Sequence, residues 1–162
     1  MVKKMKKFLY VLFLLLVLVS CQAKTVEGVS QARVIYHYKT VEPYLALTFD
    51  DGPNKIQTPK VLKILEKYDV KATFFVVGEN IEYQKDILKE VDKQGHEIGN
   101  HFYHHEKLDE LSKEEIKETI IKTNELIYSV IKKTPKLLRP PYGIVNDTLK
   151  EVCGELNMTI IL

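Results

Sequence analysis

The sequence predicts an α/β fold, a parallel sheet of about five strands with helices covering its faces. Two observations carry this. From Tyr44 onward, short apolar runs alternate with stretches whose apolar residues recur every three to four positions, the beat of βαβ units. Hydrophobic residues make up 45% and charged residues 28% of the 162, which is enough apolar material for one core and excludes a disordered tail. Parallel strands need covering helices, and their crossovers are right-handed. Periodicity alone leaves open whether the sheet stays open or curls into a barrel.

The first twenty residues read as an address. MVKKMKK is basic, and Phe8 to Val19 is an apolar run of twelve, short of the ~20 a spanning helix needs. A basic start, a short apolar stretch and then small residues is the secretory pattern. Leu18-Val19-Ser20-Cys21 resembles the bacterial lipoprotein box, in which the cysteine is lipid-modified; the plainer reading is an ordinary signal with a chance cysteine. The resemblance implies a chain anchored by Cys21 at the extracytoplasmic face of a bacterial cell membrane. Four of the 24 basic residues lie in residues 1–20; the remaining 20 face 22 acids. That near neutrality excludes a nucleic-acid partner bound by phosphate neutralisation. Residues 21–43 are polar and read as a tether carrying a short strand within 33–38, where His37 is an ordinary strand residue.

The elements follow in order. Leu45–Phe49 is the first core strand, and Thr58-Pro59 opens a helix with Thr58 as N-cap and Val61, Leu62, Leu65 and Tyr68 on its apolar face. Ala72–Val77 is a buried strand. Ile87, Leu88 and Val91 mark a helix closed by Gly95, and His96–Asn100 is the next strand. Ser112-Lys113-Glu114-Glu115 is a capping box that starts a long helix with Ile116, Ile120, Ile127 and Ile131 on one side. Lys136–Leu138 is a strand, Asn146–Cys153 a helix ended by Gly154 with Cys153 as a buried, inert thiol, and Met158–Leu162 a fifth strand whose Ile160-Ile161-Leu162 forms an exposed edge.

Polar groups gather where these strands end. Asp50-Asp51-Gly52 follows one strand, His101 and His105 another, and Arg139-Pro140-Pro141-Tyr142-Gly143 a third. In parallel α/β architectures those carboxyl ends are where active sites form. One carboxylate and two imidazoles suffice for a catalytic metal, which keeps a fourth position open. His101 and His105 are four apart and would point the same way on one helical turn. Adjacent strand residues point apart, so one aspartate can bind metal while the other serves as base, with Arg139 paired to a carboxylate. Taken singly, each part has a bland reading: a turn, two surface histidines, a stiff loop. The joint placement at three strand ends favours a site.

The strings Thr48-Phe49-Asp50-Asp51-Gly52-Pro53, Ala72-Thr73-Phe74-Phe75 with Gly78, His96-Glu97-Ile98-Gly99-Asn100-His101 with His105, and Arg139-Pro140-Pro141-Tyr142-Gly143 resemble the polysaccharide deacetylase (NodB-type carbohydrate esterase) family. The resemblance covers residues 44–162 and implies an incomplete, distorted (β/α) barrel, the N-terminal part of the catalytic domain. It implies that Asp51, His101 and His105 hold a divalent metal, usually zinc. Asp50 matches the general base, Arg139 the residue that steadies it, and Tyr142 the residue whose backbone N–H helps hold the oxyanion. The implied reaction removes N-acetyl groups from an amino-sugar polysaccharide such as peptidoglycan or a chitin-like glycan.

Two departures from the family qualify this. A Ser or Thr usually follows the first metal histidine; here it is Phe102, which implies a looser loop, while His104 stands at a variable position and is not counted as a ligand. The family also continues into an Asp-Trp segment and a Leu-x-x-His segment that supplies the general acid. The chain is therefore expected to be C-terminally truncated relative to the family, with inactivity one consequence. Two alternatives stand beside the deacetylase: a non-catalytic or degenerate glycan-binding lipoprotein, and a deacetylase of O-acetyl esters.

Overall fold

The computed structural model describes residues 30–37 and 39–162; the expected signal segment, Cys21 and residues 22–29 of the expected tether lie outside them. The described elements are β1 (Val34–Ile35), β2 (Thr48–Gly52), α1 (Gln57–Lys67), β3 (Thr73–Val76), α2 (Gly78–Tyr83), α3 (Lys85–Lys93), β4 (Glu97–Asn100), α4 (Lys113–Ile131), β5 (Leu137–Leu138), α5 (Asp147–Glu155) and β6 (Thr159–Ile161). All six strands pair in parallel, in the order β1-β6-β5-β4-β3-β2, so the α/β expectation holds. β1 and β2 are the two edges and do not meet, which leaves the barrel incomplete.

Several elements differ from the sequence expectation, each for a local reason. The first core strand begins at Thr48 rather than Leu45, because its partner β3 starts opposite, at Thr73; Tyr44 and Leu45 are left exposed. It then runs on through Asp50 and Asp51 to Gly52. Thr58 does not cap α1. Asn54 does that work, its Oδ1 accepting from the N–H groups of Ile56 and Gln57, while Thr58 Oγ1 accepts from Asn54 N–H. Leu62 and Leu65 are buried, but Tyr68 is exposed. The six-residue α2 carries a single fully buried apolar residue, Ile81, too little periodicity to be seen in sequence.

Two helix ends were legible. The capping box forms both of its bonds, Glu115 N–H to Ser112 Oγ at 3.3 Å and Ser112 N–H to Glu115 Oε2 at 2.8 Å. Asn146 caps α5 by accepting from Leu149 N–H at 2.8 Å. The other end of α5 was not, for Gly154 lies inside the helix rather than ending it. A Cβ there would stand 1.5 Å from the carbonyl oxygen of Ser30, so the glycine makes room for the segment that leads into β1.

That segment also corrects the exposed edge. Ile160 N–H donates to Arg33 C=O at 2.9 Å and Leu162 N–H to Ile35 C=O at 3.0 Å, so β1 covers β6 and Ile160 is fully buried. Apolar side chains pack in two clusters. One joins Leu62, Leu65, Phe74, Leu88 and Ile127; the other joins Phe102, Ile116, Ile120, Leu149 and Ile160. Cys153 is buried in the second, and burial pushes its thiol up to about 12.

Candidate metal centre and active cleft

At the end of β2 the ladder with β3 shifts register between Phe49 and Gly52, and Asp51 takes a left-handed backbone, φ 64°. The irregularity turns the two neighbouring carboxylates to different partners. Asp51 Oδ1 lies 3.4 Å from His101 Nε2 and 3.3 Å from His105 Nε2. The three donor atoms fall within 4.8 Å of one another.

His101 and His105 do not share a helical turn. Residues 101–107 form a loop, and left-handed residues at Phe102 (φ 63°) and His105 (φ 58°) fold it back so that both rings face Asp51. Nor is the loop looser for lacking a hydroxyl at position 102. The Phe102 ring is fully buried in the second core cluster. Its N–H donates to Asn100 Oδ1 at 2.8 Å, and its carbonyl accepts from Gly78 N–H at 2.9 Å. Tyr103 N–H donates to Thr119 Oγ1 at 2.8 Å. The Tyr103 hydroxyl donates to Glu82, a bond that with burial pushes the phenol up to about 12. His104 is exposed and donates from Nδ1 to Glu79 at 2.8 Å, away from the other two imidazoles.

His101 is buried, and its Nδ1 lies 2.6 Å from the Arg139 carbonyl. A carbonyl only accepts, so the proton is on Nδ1 and the Nε2 lone pair is directed at Asp51. Burial lowers the pKa of this imidazole, outweighing the backbone bond and the two aspartates that pull it upward. The neutral form favoured in this way is the one that binds metal.

Arg139 turns its side chain to the second carboxylate. Its Nη1 donates to Asp50 Oδ1 and to Thr48 Oγ1, both at 2.8 Å. The guanidinium lies 4.2 Å over the Phe75 ring. Gly99 allows that stack, since a Cβ at Gly99 would come within 2.5 Å of the ring. Tyr142, in a short 3₁₀ turn (Pro141–Gly143), is left-handed at φ 60° and largely exposed, its ring 4.8 Å from that of His105. Asp50, Asp51, His101, His105, Arg139 and Tyr142 line one open cleft of about 590 Å³.

The structure thus brings together all six residues singled out within the described chain; Cys21 lies outside it. The donor set fits a divalent cation: one carboxylate and two imidazoles, one of which has its tautomer fixed by a backbone carbonyl. Sequence reasoning missed the supports. Asn100 is fully buried and ties the histidine loop to α4 through Ile120 C=O and Asn124 Oδ1, each at 2.9 Å; a polar residue closing a buried strand was the available signal. Thr48 and Phe75, which hold Arg139, gave no such signal.

Comparisons with known proteins agree with this geometry. The family model described as polysaccharide deacetylase matches residues 37–161. A peptidoglycan-N-acetylglucosamine deacetylase of Bacillus cereus is 42% identical over 130 residues, which cover 78% of this chain and 47% of that protein. The crystal structure of a peptidoglycan N-acetylglucosamine deacetylase with a bound benzamide compound superposes with a TM-score of 0.77 at 39% identity, over 81% of this chain and 61% of that one. A pseudoenzyme of carbohydrate esterase family 4 from Bacillus anthracis superposes at 0.75 and 29% identity, over 80% of this chain and 46% of that one. The chain spans between about a quarter and just over half of the length of the curated relatives it matches.

Proposed function

The chain belongs to the polysaccharide deacetylase family, and from that premise we propose that it removes N-acetyl groups from the amino sugars of a cell-wall glycan, with a divalent metal at Asp51, His101 and His105. One observation carries the reading. Those three donors converge in the same cleft as an Asp50–Arg139 pair whose carboxylate they do not use. A cation there, zinc by the family resemblance, supplies a Lewis acid and lowers the pKa of water toward 7.

The remaining roles fall to the chain's own residues. Asp50 takes the proton of the attacking water as its oxygen adds to the acetamide carbonyl. Arg139 keeps Asp50 in place and is itself held by Thr48 and the Phe75 ring. The Tyr142 backbone N–H donates to the developing oxyanion, as the family resemblance implies. The carbon–nitrogen bond then breaks as the leaving nitrogen takes up the proton that Asp50 received from the water, giving acetate, a free amine on the sugar and Asp50 again as carboxylate. The lipoprotein-like Cys21 supports a location at the outer face of a bacterial membrane, within reach of peptidoglycan.

Purified full-length chain loaded with zinc is to be incubated in parallel with an N-acetylated chitooligosaccharide, peptidoglycan and O-acetylated xylan. Acetate release from the first two supports the proposal, and release from xylan alone assigns ester hydrolysis instead. The pseudoenzyme relative makes a second reading specific: glycan binding with no acetate released from any substrate identifies a non-catalytic binder.

A further inference from the structure

The two ends of the sheet differ in charge. Because the strands are parallel, segments that enter strands lie at one end and segments that leave them at the other. The entering segments, each counted with the last residue of the helix before it, carry Arg33, Lys67, Lys71, Lys93, Lys132, Lys133 and Lys136, all exposed, against Glu42, Asp69, Glu97 and Glu155. Glu155 is taken up by Lys113 and Lys117 (3.2 and 2.7 Å), and Lys133 by Asp92 at 2.6 Å. Lys93 lies 3.6 Å from Glu90. Arg33, Lys71, Lys132 and Lys136 have no carboxylate partner among the described residues. Lysines at helix C-termini are favoured by the helix dipole, which accounts for Lys93 and Lys132. Arg33, Lys71 and Lys136 precede strands and owe nothing to it. At the carboxyl end the balance reverses: Asp50, Asp51, Glu79, Glu106, Asp109 and Glu110 outnumber Lys55, Lys107 and Arg139.

The chain also enters the domain at the basic end. β1 runs parallel to β6, and Ser30 lies before it, its carbonyl against Gly154 near the end of α5. Cys21 is nine residues earlier, a contour of at most about 32 Å.

We propose that the amino end of the sheet rests on an anionic lipid surface, so that the metal-ligand cleft faces away from it. The proposal rests on the reading of Cys21 as a lipid anchor. A single short tether confines the domain to the surface but lets it roll; the charge asymmetry selects which end lies down. Each Lys or Arg near an anionic bilayer favours the surface by about fivefold in partition, and an acidic rim is repelled by the same field. The cleft then stands roughly 30–40 Å above the lipid, one domain diameter. That position suits a polymeric glycan passing over the far side of the domain. It does not suit the sugar of a lipid-embedded precursor lying beneath it.

The test uses full-length chain, purified in detergent and reconstituted into phosphatidylglycerol–phosphatidylcholine vesicles that carry an energy-transfer acceptor at the headgroups. A thiol-reactive donor is placed at Thr134→Cys, at the basic end, or at Lys55→Cys, at the cleft end. Cys153 is buried with its thiol pushed up to about 12, so it takes no probe. The wild-type chain therefore reports on Cys21 alone: blocked if lipidated, labelled if not. We expect an unlabelled wild type, strong transfer from position 134 and weak transfer from position 55. Reversing Lys71, Lys132 and Lys136 together to Glu lowers the preference by more than about a hundredfold, the loss of three attractions at about fivefold each before the repulsion of the new carboxylates is added, and brings the two positions together. Three results overturn the proposal: equal transfer from both positions, stronger transfer from position 55, or a difference that the triple reversal leaves unchanged. A labelled wild type removes the anchor and the proposal with it. Acetate release enters none of these readings, so a failure of the deacetylase assignment is seen separately.

Discussion

β4 has a buried histidine just outside each end, His96 before it and His101 after it, and the two are used in opposite ways. Burial is the largest cause lowering the pKa of both, so both favour the neutral ring. At the amino end, His96 Nδ1 accepts from Ala72 N–H at 3.3 Å, and the proton is left on an Nε2 with no partner. At the carboxyl end, His101 Nδ1–H donates to a carbonyl and Nε2 is free to accept, facing Asp51 and His105. Burial and a depressed pKa thus do not mark a metal ligand. The mark is which nitrogen is left free, and what it faces.

The same contrast runs through the backbone. At the amino end the left-handed residues Asp69, Gly95, Lys132 and Asn157 each follow a helix, where that conformation is the ordinary way to stop. At the carboxyl end Asp51, Phe102, His105 and Tyr142 are left-handed with no helix before them to end. Non-glycine residues in this region cost about 1–3 kcal/mol each, and here they aim donors into the cleft.

Metal loss separates the two histidines most strongly. His101→Ala abolishes zinc binding and hydrolysis, whereas His96→Leu leaves one zinc per folded chain by elemental analysis; equal loss in the two variants would erase the distinction between the rings. Next comes Asp50→Asn, which keeps the metal while acetate release falls by about 10²–10⁴. Retained turnover removes Asp50 from the base role.

Asn100→Ala leaves Phe102 N–H and the Ile120 carbonyl short of partners and costs about 1–3 kcal/mol in denaturant unfolding, with metal affinity falling as the loop loosens. The smallest effect is on pH dependence. The folded pKa of His96 lies below its ordinary value, so just below about 6.5 the unfolded chain binds more protons than the folded one. Its contribution to stability is present above pH ~6.5 and is lost as pH falls through that value toward the folded pKa. His96→Leu in zinc-loaded protein flattens the stability–pH curve there, and an unchanged slope places the titration elsewhere.

Much of this was legible in sequence where the cause is local. The βαβ beat, the Ser112–Glu115 box and the start of α5 at Asn146 depend on residues within one turn of each other. The aspartates, histidines and arginine were legible by their position at strand ends. The rest depends on contacts between residues far apart in the chain. Gly154 reads as a helix stop until Ser30 is packed against it. The Ile160–Leu162 edge reads as bare until Val34–Ile35 pairs with it. The spacing of His101 and His105 mimics a helical turn, because sequence does not reveal that burying the Phe102 ring folds the chain through a left-handed residue between them.

Whether Asp51, His101 and His105 hold one cation is decided by X-ray absorption at the zinc edge of the loaded full-length chain. The expected spectrum has a shell of nitrogen and oxygen donors at about 2.0–2.2 Å with the scattering signature of two imidazoles, reduced to one in His105→Ala. A sulfur shell, no imidazole signature, or a spectrum that His105→Ala leaves unchanged contradicts it.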